Sequence, residues 1–143
     1  MLRNLLDTNI AIFVTRQRPP QALAVFNRQA GRMALSAITP AELMHGAEKS
    51  RRSTANLAVV EDFCSRLEVL PYGPKAAQHH GQIRAALEQL GTPIGVNDLH
   101  IGAHARSEGL VVAYARHRSV VRRRTVSSSL AAACKERLHC RQP

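Results

Sequence analysis

The sequence predicts a single α/β domain with a mainly parallel central sheet covered by helices. The chain has 143 residues and 45% hydrophobic content, which is enough to build one buried core. Short apolar runs alternate with longer segments of helical periodicity, and this alternation favours parallel strands joined by helices. Aromatic residues make up only 3% of the chain. The core is therefore expected to consist of Leu, Val, Ile and Ala.

The first strand is predicted at residues 2–6, a short apolar run at the start of the chain. A short helix follows it, and Thr8 and Asn9 are suitable residues to cap that helix. A second helix is predicted at about residues 20–30, because a pair of prolines opens it and Gly31 closes it.

Residues 33–36 are predicted as the second strand, and the clearest helix start in the chain follows them. Thr39 takes the N-cap position, Pro40 the first helical position, and Glu42 the third. This is the spacing of a capping box, in which the glutamate bonds back to the cap residue. The pattern predicts a helix over residues 39–49.

The middle of the chain predicts two longer helices with a strand between them. An apolar stripe indicates a helix at about residues 54–67, and residues 68–70 are predicted as a short strand. The next helix covers residues 74–90, and Gly91 is a suitable stop for it.

The last predicted helix covers about residues 97–107, and Gly109 ends it. A buried strand is predicted at residues 110–113. Residues 114–143 differ from the rest and are interpreted as an atypical basic tail, in which the spacing of apolar residues allows a small helix at 130–138.

The formal net charge of +10 indicates a polyanionic partner, either nucleic acid or an acidic protein. The charge is uneven, since residues 1–108 contain 12 Lys or Arg against 9 Asp or Glu. Residues 109–143 contain 8 Lys or Arg against one Glu. Most of the excess charge therefore lies in the tail. The few aromatic residues argue against a base-stacking surface.

Other features limit the classes of protein to consider. No apolar run approaches the roughly 18 residues of a membrane span, so no contact with a membrane is expected. Three cysteines without a close pair or a signal peptide favour a cytoplasmic protein. His100 and His104 lie one helical turn apart, but without thiols or a glutamate base they do not predict a zinc site. His104 is expected to pack or hydrogen-bond on its helix.

Three carboxylates stand where apolar runs meet helix starts: Asp7, Glu42 and Asp98. A parallel α/β fold gathers such residues at one edge of its sheet, and carboxylate oxygens are preferred ligands of Mg²⁺ and Mn²⁺. Their convergence predicts the site of a metal-dependent nuclease. Each acid also has a simpler interpretation. Asp7 could cap a helix, Glu42 could complete the capping box, and Asp98 could stabilise a helix dipole. Local sequence alone leaves these alternatives open.

The segments around the three acids resemble the motifs of PIN-domain ribonucleases, in particular VapC-type toxins of bacterial toxin–antitoxin pairs. The matching segments, all within residues 1–113 and in the family's order, are 6–10, 39–43, 46–50, 94–99 and 101–105. The resemblance implies a PIN domain over residues 1–113 with a three-layer α/β sandwich. It further implies an endoribonuclease that depends on Mg²⁺ or Mn²⁺ and cleaves structured RNA, often transfer RNA.

The resemblance also implies roles for individual residues. Asp7, Glu42 and Asp98 would be catalytic and would bind the metal, and Asn9 would support the site through hydrogen bonds. A homodimer and a cognate antitoxin are expected partners, with the antitoxin groove formed by helices between residues 9 and 70. A basic RNA-binding module is a weaker interpretation, because it leaves the three acids unexplained.

The C-terminal part departs from the family pattern. After a strand like residues 109–112 the family has Thr or Ser, then Asn or His, then Asn or Asp, with an acid at that place or a few residues later, followed by a final strand. This chain has Ala113, Tyr114 and Ala115 there and Arg116 near the expected carboxylate, and no final strand is recognisable. We hypothesise that the reading frame shifted near residue 112 or that the C-terminus was replaced. A catalytically impaired protein that still binds its antitoxin is therefore the alternative function.

Overall fold

The computed structural model describes residues 1–16, 20–116 and 119–125. The strands in these ranges are β1 (Asn4–Leu6), β2 (Met33–Ser36), β3 (Glu68–Leu70), β4 (Val111–Arg116) and β5 (Ser119–Thr125). The helices are α1 (Thr8–Thr15), α2 (Pro20–Gln29), α3 (Ile38–Glu48), α4 (Ser53–Ser65), α5 (Pro74–Gln89) and α6 (Val96–Ser107), with a 3-10 turn at Ala30–Arg32.

The strands form one sheet in the order β3-β2-β1-β4-β5. The pairs among β1, β2, β3 and β4 are parallel, whereas β5 is antiparallel to β4. The predicted mainly parallel sheet is thus confirmed. Leu6, the last residue of β1, lies in register with Leu35 on one side and Ala113 on the other. Strands β1, β2 and β3 therefore end at the same edge, whereas β4 continues to Arg116.

The core lies on both faces of this sheet, which is typical of parallel strands covered by helices. Neighbouring residues of a strand point to opposite faces. Leu6 and Leu35 join the cluster under helices α1 to α4, and Leu5 and Ala34 pack on the other face against α6. A further apolar cluster joins α5 to α6. The result is the predicted sandwich of helices, sheet and helices.

The predicted helix start at Thr39 is wrong in detail. Helix α3 begins at Ile38, and its N-cap residue is Ala37, which makes no side-chain capping bond. The amide of Ile38 donates instead to Ser36 Oγ at 3.3 Å. Thr39 is fully buried within the first turn instead. The local spacing of a capping box is present, but the buried position of Thr39 and more distant partners of Glu42 override it.

The C-terminal part contains a strand that the sequence did not predict. Strand β4 continues to Arg116, past the expected domain boundary at residue 113, and β5 pairs with it. Residues 126–143, including the small helix expected at 130–138, lie outside the described residues. No helix in the described part of the chain is long and apolar enough to cross a membrane.

Candidate active site

Asp7 lies at the carboxyl end of β1 and is the N-cap residue of α1. Its backbone amide donates to the carbonyl of Ala113, 2.9 Å away, which extends the pairing with β4 by one residue. Asp7 is only 7% exposed, and its side chain makes no capping hydrogen bond. Asn9 donates from Nδ2 to Asp7 Oδ2 at 3.4 Å. Helix capping therefore does not explain this buried carboxylate.

Glu42 lies in the second turn of α3 and is half-buried. The Thr8 hydroxyl donates to one carboxylate oxygen, Oε2. The Asn97 side-chain amide donates to the other, Oε1, at 2.6 Å. The capping-box interpretation of Glu42 is wrong, because both oxygens accept from residues of other helices.

Asp98 lies in the first turn of α6 and is half-buried. The N-cap of this helix is Gly95, and a Cβ atom placed on that glycine would come within 3.3 Å of Asp98 Oδ2. The missing side chain of Gly95 thus leaves the space that the carboxylate occupies.

The contacts of Glu42 connect the three acidic segments. Thr8 directly follows Asp7, and Asn97 directly precedes Asp98, so each donor to Glu42 is a chain neighbour of another acid. The two donors lie 34 and 55 residues from Glu42 in sequence. The fold therefore brings the three predicted segments to the same edge of the sheet. Thr8 and Asn97 were not singled out as site residues, because nothing in the local sequence shows a partner so far away.

The donor chemistry of this site fits Mg²⁺ or Mn²⁺, since three carboxylates supply hard oxygen ligands. Within the described residues, no three acidic, histidine or cysteine side chains are close enough to enclose a metal ion. A complete protein cage is not required, because Mg²⁺ usually keeps several waters and binds one or two carboxylates together with substrate phosphate.

Three histidines of α5 and α6 form a separate aromatic cluster with Tyr72. The rings of His80 and His100 stack at 4.1 Å, and His100 Nδ1 lies 2.9 Å from the Tyr72 hydroxyl. His104 is fully buried, with Nδ1 2.9 Å from Ser36 Oγ. His104 is thus packed as expected, but its hydrogen-bond partner is a residue of β2 and not of its own helix.

Burial governs the ionisation of this cluster. It lowers the pKa of His100, and the neighbouring His80 lowers it further. Burial also lowers the pKa of His104, although Glu108 and the Pro71 carbonyl act in the opposite direction. Burial raises the pKa of the Tyr72 hydroxyl. These shifts favour neutral side chains, as expected of a structural cluster.

Comparison with known proteins assigns the family. The profile of the PIN domain matches residues 5–120. The chain belongs to the PIN-domain family. Within the family it is a homologue of VapC ribonucleases: Ribonuclease VapC2 of Haemophilus influenzae is 55% identical over 112 residues, which cover 78% of this chain and 85% of that protein. The tRNA(fMet)-specific endonuclease VapC of Shigella flexneri is 48% identical over the same shares.

Solved structures agree with this assignment to the PIN-domain family. The DNA-bound VapBC of Salmonella typhimurium superposes with a TM-score of 0.76 at 52% identity, covering 80% of this chain and 86% of that one. VapBC2 of Rickettsia felis, bound to a promoter DNA fragment, gives 0.73 at 33% identity, covering 78% and 86%. The chain is thus a PIN-domain homologue of the VapC ribonuclease toxins of type II toxin–antitoxin systems.

Proposed function

We propose that this chain is an endoribonuclease toxin of a type II toxin–antitoxin module and that it cleaves RNA phosphodiester bonds with Mg²⁺ or Mn²⁺. One observation carries the proposal beyond family membership. Glu42 accepts hydrogen bonds from the chain neighbours of both Asp7 and Asp98, which supports a common site for the three acids.

The residues of the site have distinct physical roles. Asp7 is almost completely buried, so solvent screens its carboxylate little and a bound cation would stabilise the charged form. Asn9 orients Asp7, and the space at Gly95 admits the carboxylate of Asp98. A bound divalent cation would polarise the scissile phosphate and lower the pKa of a water molecule.

The relatives indicate the partners. We propose transfer RNA as the substrate class, because similar VapC proteins are named tRNA(fMet)-specific endonucleases. A cognate antitoxin would bind the helices between residues 9 and 70, where Met44 and Val59 are exposed apolar side chains on α3 and α4. A homodimer in the cytoplasm, where such RNA is found, completes the proposal.

A cleavage assay tests the function. Initiator tRNA is incubated with the full chain and Mn²⁺, with and without EDTA, beside the variants Asp7→Ala and Asp62→Ala. Asp62 is an exposed residue of α4 that forms an ion pair with Arg66. Its replacement controls for the loss of a carboxylate outside the proposed site. We expect cleavage that EDTA and Asp7→Ala abolish and Asp62→Ala retains. If the wild type and Asp7→Ala cleave the RNA equally, the proposed ribonuclease activity of this chain is contradicted.

The second candidate function is a catalytically impaired toxin that retains antitoxin binding. It is favoured by the register of β4, because the buried Ala113, in register with Leu6, stands where the resemblance expects a hydroxyl residue, and Arg116 follows near the place of the expected acid. Losing one acid of a metal site can cost several kcal/mol, or about a thousandfold or more in rate. Binding to the antitoxin without metal-dependent cleavage would support this candidate.

We further propose that the PIN domain proper ends at residue 113 and that residues 114–143 replace the family's C-terminus, by a frameshift near residue 112 or by substitution of the end. The coding DNA provides the check. Another reading frame downstream of Val112 should encode a hydroxyl residue, an amide and an acid, followed by Phe. Absence of this pattern from both alternative frames would exclude the frameshift.

A further inference from the structure

We propose that Thr8 and Asn97 are positioning residues, which together hold the carboxylate of Glu42 in the orientation that receives the cation. The inference rests on the proposed metal-dependent function and adds two residues to its machinery. Neither residue is among the acids from which the site was predicted. We call the arrangement of Thr8, Glu42 and Asn97 the carboxylate clamp.

The clamp fixes Glu42 from two sides. The Thr8 hydroxyl bonds Oε2 and the Asn97 amide bonds Oε1, so the plane of the carboxylate cannot rotate without breaking one of these bonds. A carboxylate offers about four lone-pair positions, two on each oxygen. One position on each oxygen therefore remains for a cation or a water molecule, and the clamp is compatible with metal binding.

Both donors are electrically neutral, so they orient the carboxylate of Glu42 without cancelling its charge. A lysine or arginine would also orient Glu42, but it would cancel the charge that attracts a cation. The ion pairs Arg66–Asp62 and Arg84–Glu88 lie on the surface, and neither involves Glu42. The clamp thus orients the carboxylate and leaves its negative charge available.

The two donors sit on rigid supports. Thr8 is 9% exposed in the first turn of α1, and its β-branched side chain has few rotamers. Asn97 is exposed in the first turn of α6, so its replacement does not create a cavity in the core. Hydrogen-bonding partners that orient metal ligands in this way typically contribute 10- to 100-fold to metal affinity.

The test is a calorimetric titration of the full chain with Mn²⁺ in the absence of RNA. The variants are Asn97→Ala, Thr8→Val, their combination, and Thr8→Ser, which keeps the hydroxyl. Matched controls are Asn56→Ala, whose amide bonds Ser50 on the surface, and Thr15→Val, whose hydroxyl bonds the Ile12 carbonyl. Thermal unfolding of each variant verifies that it is folded.

We expect Asn97→Ala and Thr8→Val each to weaken Mn²⁺ binding by about 10-fold or more. Thr8→Ser should restore most of the affinity, and both controls should bind like the wild type. The double variant should lose less than the product of the single losses, because releasing either oxygen already frees the carboxylate.

The outcomes separate this inference from the proposed function. Unchanged affinity in Asn97→Ala would overturn the clamp while the metal site stands. An increased affinity of Asn97→Ala for Mn²⁺ would also overturn the clamp. It would mean that the hydrogen bonds to Glu42 compete with the cation in the wild type. A wild-type chain that binds no Mn²⁺ would overturn the proposed metal dependence, and the clamp with it.

Discussion

Gly95 shows how the lack of a side chain makes room for a carboxylate of the proposed site. Its φ of −56° and ψ of 143° suit any residue, so the backbone does not demand glycine. The demand comes from Asp98, whose Oδ2 would lie 3.3 Å from an added Cβ atom. We expect Gly95→Ala to displace the carboxylate by a few tenths of an ångström and to lower RNA cleavage by about tenfold.

Gly73→Ala is the matched control for this prediction. Gly73 is also the N-cap glycine of a helix, α5, but a Cβ atom added to it would have no other atom within 4 Å. Both variants lose the same preference for glycine over alanine at a cap, about 1 kcal/mol or less. Equal cleavage by Gly95→Ala and Gly73→Ala would contradict the role of Gly95.

His104 makes the stability of the fold depend on pH. Burial lowers its pKa, so below about pH 6.5 the unfolded chain binds a proton that the folded chain does not. The free energy of unfolding should therefore be constant above about pH 7.5 and fall as the pH decreases towards about 5.5. One such group contributes at most about 1.4 kcal/mol per pH unit.

Urea unfolding at about pH 7.5 and about pH 5.5 measures the contribution of His104. We expect His104→Gln to show a smaller loss of stability between the two values than the wild type. His45→Gln, a change at an exposed histidine of α3, should keep the wild-type loss. An equal loss in His104→Gln would show that other groups are responsible.

The sequence predicted that the segments around the three acids lie close together, and the contacts of Glu42 support this, but it could not reveal the contacts themselves. Glu42 stands three residues after Thr39 at the start of helix α3. This is the spacing of a capping box, so the local sequence cannot distinguish a capping glutamate from one that contacts distant residues. The partners of Glu42 are 34 and 55 residues away and depend on the tertiary fold. The roles of Asp7, Glu42, Asp98 and Asn9 remain predictions that the variants above test.

At the scale of elements, helix α6 has two glycines in different settings. One follows its C-terminus in the left-handed backbone conformation, and the other lies inside the helix with room for a side chain. Gly109 has a φ of +66°, and two backbone bonds of the Schellman type close the helix: Gly109 to Arg106 and Leu110 to Ala105. Gly102 lies inside the same helix with open space around it. Alanine should therefore have opposite effects at the two positions.

We expect Gly109→Ala to lower the free energy of unfolding by about 1 kcal/mol, because alanine is strained at positive φ. Gly102→Ala should raise it by about 0.5 to 1 kcal/mol, because alanine favours helix. Urea titrations of both variants measure the difference. A stabilising effect of Gly109→Ala would show that the turn tolerates another backbone conformation.

Elements with strong local signals were predicted well. Strands β2 and β3 match the predicted limits at both ends, and Gly91 and Gly109 end their helices as expected. Strand β5 was missed, because its sequence contains three consecutive arginines and lacks the alternation of a half-buried strand. Without β5, strand β4 would form an unpaired edge of the sheet, and the backbone pairing of β5 with β4 satisfies this edge.

At the scale of the whole molecule, the net charge of +10 should govern the affinity for RNA. Each phosphate contact contributes about 0.7 to 0.9 to the slope of log affinity against log salt concentration. We expect RNA binding to weaken steeply with salt. Replacement of Arg122, Arg123 and Arg124 by Gln should reduce the slope without changing Mn²⁺ affinity, which binding and calorimetry can measure separately.

The exposed pair Arg51 and Arg52, between α3 and α4, provides the control for this prediction. Replacing both by Gln removes positive charge from another part of the chain. If the two sets of variants reduce the salt slope equally per charge, the effect belongs to the total charge and not to the C-terminal arginines.

The position of β1 in the middle of the sheet has a consequence for the synthesis of the protein. Its neighbour β4 begins at residue 111, and Asn97 must reach Glu42 before the clamp exists. A chain still being translated on the ribosome therefore lacks both the last parallel strand and an assembled site until most of it has emerged. Cleavage of RNA through the proposed site therefore requires that the chain has been synthesised at least to the end of β4.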